Sequence, residues 1–207
     1  MELPEVQDFE ASKLGTKSYW DTVYDRENEN FQEIGDIGEV WFGEESVERM
    51  VEWITENVTD LESSIVDLGC GNGHLLLELA NEGYKSLAGI DYSESAVVLA
   101  KSVAKERELE WIQYDAVDFL SNPQWFKHTF QVVLDKGTYD AISLHPDQIE
   151  AKKQGKPGPR ENCNWTMEEL IESFKQYFKY HSHVKYPVFQ FGGQTGSKIC
   201  TVAFQPI

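Results

Sequence analysis

The chain is short of cysteine, of positive charge and of long apolar runs, and each shortage removes a class of function. Its three cysteines, Cys70, Cys163 and Cys200, lie far apart and form no CxxC pair. Neither a disulfide framework nor a zinc site is suggested. Lys and Arg number 18 against 36 Asp and Glu, for a formal net charge of −18. Acid on that scale repels nucleic-acid phosphates and anionic membranes, which argues against both as partners and for a basic protein or a cationic substrate. No apolar run approaches the length of a bilayer span, and the opening MELPEVQDFE lacks the apolar core of a secretory leader. The expected compartment is the cytoplasm, with the nucleus open. His74, His128, His145, His181 and His183 make no metal-ligand set, His181-x-His183 included, so no metal is expected.

What is present suffices for a core: 207 residues, 41% apolar and 13% aromatic. The length suggests one domain over residues 13–207, preceded by a frayed acidic end at 1–12. Residues 13–43 carry Tyr19, Trp20, Tyr24, Phe31, Trp41 and Phe42 with little clear periodicity. They are expected to form an irregular extension whose aromatics pack on a neighbouring surface or line a ligand pocket. Val47, Met50, Val51, Ile54 and Val58 then recur at helical spacing, predicting a helix over about 44–58 that closes this extension.

Alternating strands and helices follow over a core at 63–149. Ser64–Leu68, Leu87–Ile90, Trp111–Tyr114 and Phe130–Leu134 read as strands. Leu75–Asn81, with Gly83 as its C′ residue, and a segment capped by Ser93 or Ser95 read as helices. The pattern predicts an α/β fold, a Rossmann-like and mostly parallel sheet with helices on both faces. Residues 150–163 are irregular and rich in Gly and Pro. Thr166-Met167-Glu168-Glu169 is a capping box opening a helix to about Tyr180, and Pro187–Gln205 reads as a C-terminal antiparallel hairpin around Gly192–Gly196, so 164–207 forms a last unit.

The chemistry starts at IVDLGCGNGHLLLELA, residues 65–80, where a strand passes through Gly69, Gly71 and Gly73 into a helix. Such a turn presents bare backbone and the positive end of a helix. A P-loop would need Lys followed by Ser or Thr, and here His74 and Leu75 follow; a dinucleotide turn would read GxGxxG, and this one is GxGxG. S-adenosylmethionine fits the remaining option. Asp67 can face its ammonium end, and Asp91, 18 residues after Gly73 in GIDYS, can accept both ribose hydroxyls. Asp91 alone would serve NAD equally. Asp115, in Tyr114-Asp115-Ala116, can accept from the adenine amino group, with Asp118 as its rival. Cys70 reads as a small packing residue.

VDLGCGNG, GIDYS and YDA, in that order, resemble the motifs of class I, seven-strand S-adenosylmethionine-dependent methyltransferases. That resemblance implies S-adenosylmethionine as cofactor, held by Asp67, Gly69, Gly71, Gly73, Asp91, Tyr92, Asp115 and Ala116. LGTKSYWDTVYDRE, GEVWFGEES, VLDKGTYDAISL, CNWTMEEL and the FGG of the tail narrow it to the elongation factor 1-alpha lysine methyltransferase family, from about Leu14 to Phe204. The family implies a cytosolic enzyme that methylates a lysine of that translation factor. Where related amino-methyltransferases carry Asn-Pro-Pro-Tyr, this chain has Asp135-Lys136-Gly137-Thr138. Asp135 and Thr138 are the catalytic candidates. Asp135 can hold the incoming amine or the cofactor ammonium, or simply cap the next turn; Trp20, Tyr24, Trp41 and Phe42 can wall a lysine channel.

One stretch departs from the family. Glu150–Asn162 is too short and too rich in Gly and Pro to hold the helix and buried fifth strand found there in family members. The expectation is a fourth strand left unpaired on one edge, or a terminal hairpin moved inward, with weak cofactor binding and impaired methylation. Two other readings stand beside the protein-lysine methyltransferase: a catalytically silent binding module of the same fold, and a small-molecule methyltransferase.

Overall fold

The computed structural model describes residues 13–122, 124–125, 128–145, 165–187, 189–191, 194–196 and 199–207. The irregular stretch read at 150–162, the frayed end at 1–12 and the turn at 192–193 lie outside them.

The first element corrects the sequence reading. After a short 3-10 turn at Lys13–Gly15, residues 17–34 form an 18-residue helix, α1 (Lys17–Ile34), rather than an irregular segment. Its stripe is Trp20, Tyr24, Glu27 and Phe31, spaced at helical intervals, of which Trp20 and Glu27 are buried. A buried acid inside the stripe, amid a strongly charged helix, hides the period from an apolar count. Gly35 closes the helix in the left-handed conformation at φ 73°.

The other elements fall close to where their patterns put them. α2 (Glu44–Asn57) buries Val47, Met50, Val51 and Ile54. Then come β1 (Ser64–Leu68), α3 (His74–Asn81), β2 (Ser86–Asp91), α4 (Glu94–Glu106), β3 (Gln113–Ala116), β4 (Val132–Asp135) and α5 (Thr138–Ser143). The Ser93 hydroxyl caps α4 by accepting from the Ala96 amide. At the end of α3, Tyr84 N donates to Leu79 O and Gly83 N to Ala80 O, the paired bonds of a Schellman close.

Four strands form a parallel sheet in the order β3-β2-β1-β4. β1 is central, with Ile65 beside Leu87 on one flank and Val132 on the other. Ile65, Val66 and Asp67 are all buried, so the strand reads as a continuous run rather than an alternation. α3 packs on α2 and β2, while α4 packs on α1, β2 and β3. Tyr84, Leu75, Leu76, Leu77, Leu79, Leu99 and Val103 fill the space between. Among the described residues β4 is an outer strand, and Val133 on it is 58% exposed.

The C-terminal part needs a second correction. The helix opened by Thr166 has its full capping box but ends early, as α6 (Met167–Phe174). β5 (Phe178–His183) follows and pairs antiparallel with β8 (Val202–Pro206), with a bulge between Tyr180 and Ser182. A shorter antiparallel pair, β6 (Phe189–Phe191) with β7 (Gln194–Gly196), lies inside the expected hairpin. Ring contacts accompany the first pairing: Phe174 and Phe178 rings lie 5.5 and 6.3 Å from that of Phe204. Among the described residues no helix is long and apolar enough to cross a membrane.

Candidate active site

Open parallel sheets bind ligands at the carboxyl ends of their strands, where the strand order reverses. Here the reversal lies between β1 and β4, and a cavity of about 300 Å³ opens there. That size lies at the lower end of the range for small-molecule sites. Its wall takes Gly69 and Gly71 from the turn after β1, Asp91 and Tyr92 from the end of β2, and Thr138 from α5. Trp20, Tyr24 and Trp41 also line it, the Tyr24 hydroxyl lying against Gly71.

The three glycines are required first by the protein itself. Each has a positive φ: 70° at Gly69, 54° at Gly71 and 78° at Gly73. A Cβ on Gly71 would stand 2.5 Å from the Tyr24 hydroxyl, and one on Gly73 2.5 Å from the Tyr114 hydroxyl. A Cβ on Gly69 would overlap the Thr138 hydroxyl, which donates to Leu68 O at 2.6 Å. Side chains are excluded by three neighbouring hydroxyls as well as by any ligand.

Asp91 is buried and both its oxygens are engaged by the main chain. Oδ2 accepts from Gly71 N at 3.1 Å and Oδ1 from Ser93 N at 2.9 Å. Burial raises its carboxyl to about 6, with these two bonds pulling the other way. Asp67 lies deeper, 2% exposed, and is not part of the cavity wall. Burial raises it to about 7, the Lys136 ammonium opposes the rise, and its Oδ1 has no hydrogen-bond partner among the described residues. Burial and then Asp91 lift the Tyr24 phenol well above its ordinary range, so it stays protonated. Tyr92 shifts up for the same two causes, and Lys17 Nζ sits 5.7 Å from its ring centre.

Asp135 acts as the cap of the turn that leads into α5. Its oxygens accept from Tyr139 N at 3.0 and 3.2 Å. It is exposed and does not line the cavity. The surrounding chain raises its carboxyl to about 6, and amide bonds from Tyr139, Thr138 and Gly137 oppose this, so it is mostly ionised at pH 7. Asp115 and Ala116 are both exposed at the end of β3 and stay outside the cavity; Val117, Asp118, Phe119 and Leu120 form that wall instead. The rival acid, Asp118, lines the cavity, its Oδ1 accepting from Leu120 N and Ser121 N. Trp20 meets Trp41 edge-on at 4.7 Å and stacks with Tyr24 at 6.1 Å. Phe42 stands behind this group, at φ 63°, its ring close against Gly137.

Residues 60–200 match the family described as "Methyltransferase domain". The chain is 42% identical to "EEF1A lysine methyltransferase 2" of Mus musculus, over 97% of this chain and 86% of that protein. It is 38% identical to "Protein-lysine N-methyltransferase EFM4" of Saccharomyces cerevisiae, over 95% of this chain and 96% of that one. The chain belongs to this family of protein-lysine methyltransferases. Among solved structures it is similar to magnesium protoporphyrin IX methyltransferase from Synechocystis PCC 6803, with a TM-score of 0.56 and 16% identity over 91% of this chain and 95% of that one. At that identity the likeness speaks for the fold.

For a member of this family, two cavity residues escaped the sequence reading of the site. In the sequence Asn72 is one letter of the glycine turn and Lys136 one letter of Asp135-Lys136-Gly137-Thr138. Both line the cavity, and both donate to main-chain carbonyls of residues 37–41. No spacing in the sequence signals a bond to a carbonyl 35 or 95 positions away.

Proposed function

We propose that the chain transfers a methyl group from S-adenosylmethionine to a lysine side chain of translation elongation factor 1-alpha, the substrate that the names of its vertebrate relatives give for them. The observation that carries the reading is the cavity at the strand-order switch. Asp91, the bare glycine turn and the Trp20, Tyr24 and Trp41 rings line it, and Asp67 lies behind the wall. S-adenosylmethionine, when bound, supplies a methyl group on a positively charged sulfur. Asp91 would hold the ribose hydroxyls. Asp67, whose Oδ1 lacks a partner, would hold the ammonium end from behind the wall. Asp118 and the apolar Val117, Phe119 and Leu120 would enclose the base.

The protein's remaining task concerns the acceptor. Only a neutral amine has the lone pair to attack, and free lysine, with pKa about 10.4, is neutral in about one molecule in 2,500 at pH 7. Removing water with the Trp20, Tyr24 and Trp41 rings disfavours the ammonium and lowers that barrier. Rings facing the incoming cation draw it in before it loses its proton. A dedicated base is then unnecessary, since solvent can take the proton and positioning does the rest. Thr138 fixes the β1 end through Leu68, and Asp135 fixes the start of α5, so both support the site through the backbone.

The test is direct. Purified chain, elongation factor 1-alpha and radiolabelled S-adenosylmethionine should give label on the factor, mapped to lysine by mass spectrometry. Donor binding by calorimetry with no label on the factor would refute the proposed substrate.

A further inference from the structure

The segment Gly35–Gly43 connects α1 to α2 with almost no main-chain hydrogen bonds of its own beyond the Gly43 N to Val40 O turn and the close of α1. Gly35, Gly38, Phe42 and Gly43 all have positive φ. Left to itself such a stretch has many conformations. Yet it carries Trp41 and Glu39, both in the cavity wall.

Besides the local bonds of Asp36 and Ser46, two side chains from distant turns pin it. Asn72, buried in the glycine turn, donates through Nδ2 to Ile37 O at 3.0 Å, with Glu39 O at 3.5 Å; its Oδ1 accepts from His74 N at 3.2 Å. Lys136, in the turn after β4, donates through Nζ to Trp41 O at 3.1 Å. Next to it, a Cβ on Gly137 would lie 2.6 Å from the Phe42 ring, so the turn and the ring fit only with glycine there. The anchors come from the two turns that flank the strand-order switch, so the turns that line the donor cavity also set the place of the segment.

We propose that Asn72 and Lys136 are positioning residues that hold Gly35–Gly43 as a strap across the cavity, fixing Trp41 and Glu39 as the wall that orients the incoming lysine. The assignment rests on the proposed lysine acceptor for its purpose, and on the strap's own geometry for its existence. Burial lowers the Lys136 pKa, and Asp67 and Asp135 oppose the fall.

The test compares the full-length wild type with Asn72→Asp, Lys136→Met and Lys136→Arg. Asp at 72 keeps an acceptor for His74 N and replaces the donor by a carboxylate oxygen, which repels the Ile37 and Glu39 carbonyls. Amide exchange at Gly38 and Gly43, whose N–H groups donate to Asp36 Oδ1 and Val40 O, should speed up by about tenfold in Asn72→Asp and Lys136→Met, and Lys136→Arg should restore protection. In methylation assays KM for elongation factor 1-alpha should rise by about tenfold in the same two variants, a larger change than the fall in kcat. Unchanged exchange at Gly38 and Gly43 in both variants would overturn the proposal. So would a rise spread equally over β1, β2 and β3, because that marks general loss of stability. If wild type fails to label the factor, the substrate reading falls, and the exchange result alone decides the strap.

Discussion

Replacing Asp67 by Asn should stabilise the free protein at neutral and alkaline pH while weakening its hold on the donor. Asp67 is buried and its carboxyl is raised from 3.8 to about 7. A lift of about three units corresponds to about 4 kcal/mol of cost for the ionised form. The sign follows from proton counting. Between pH 4 and about 7 the folded chain keeps the proton on Asp67 while the unfolded chain has lost it. The contribution of Asp67 to stability therefore falls as pH rises through that window and is flat above it. Asparagine has nearly the same shape and no charge, so it avoids the loss. Lys136 loses an opposing charge in exchange, and the new amide needs an acceptor, so about half the ceiling, roughly 2 kcal/mol, should survive. For a chain of this size that is a rise of roughly 4–8 °C in Tm at pH 8, shrinking to nothing near pH 4. Thermal denaturation of both proteins at pH 4.5, 6 and 8, without donor, measures it. A Tm difference independent of pH, or a variant less stable at pH 8, would refute the account of Asp67. Calorimetry on the same samples should show donor affinity reduced by about tenfold through loss of a charged contact.

Two further predictions follow from packing. Gly71→Ala should cut donor affinity by about tenfold or more, since the new Cβ meets the Tyr24 hydroxyl at 2.5 Å. Adding Tyr24→Phe should recover part of that loss, because the next atom is 3.4 Å away; a double-mutant cycle showing strict additivity would count against the contact. Val133→Thr on the outer strand β4 should lower light scattering of concentrated samples and leave donor Kd unchanged, as an exposed apolar strand edge promotes association.

The sheet and its turns were legible because their signals are local. A buried parallel strand is an apolar run, and the glycine turn between β1 and α3 has its own composition. Among the described residues β4 is an outer strand. α1 was hidden because Glu27 occupies a buried position in its stripe and most of its other residues are charged or polar. The early end of α6 was missed because KQYFKYHSH alternates weakly, and only its distant partner β8 makes it a strand. At the site, the sequence named Trp20, Tyr24, Trp41, Asp91, Tyr92 and the first two glycines, and these line one cavity. Asp115 and Ala116 fall outside it, and Asp135 spends its oxygens on the α5 turn, because strand-end spacing says which acid ends a strand and not which way it faces.

The three glycine seats carry a consequence for how this enzyme could drift over time. Thr138, Tyr24 and Tyr114 belong to separate elements, yet each hydroxyl occupies the space where one glycine lacks a side chain. A change on either member of a couple spoils the fit of the other, so substitutions there should survive only when they arrive together. Descendants that accept a different donor or acceptor would then have to rebuild the pocket two residues at a time.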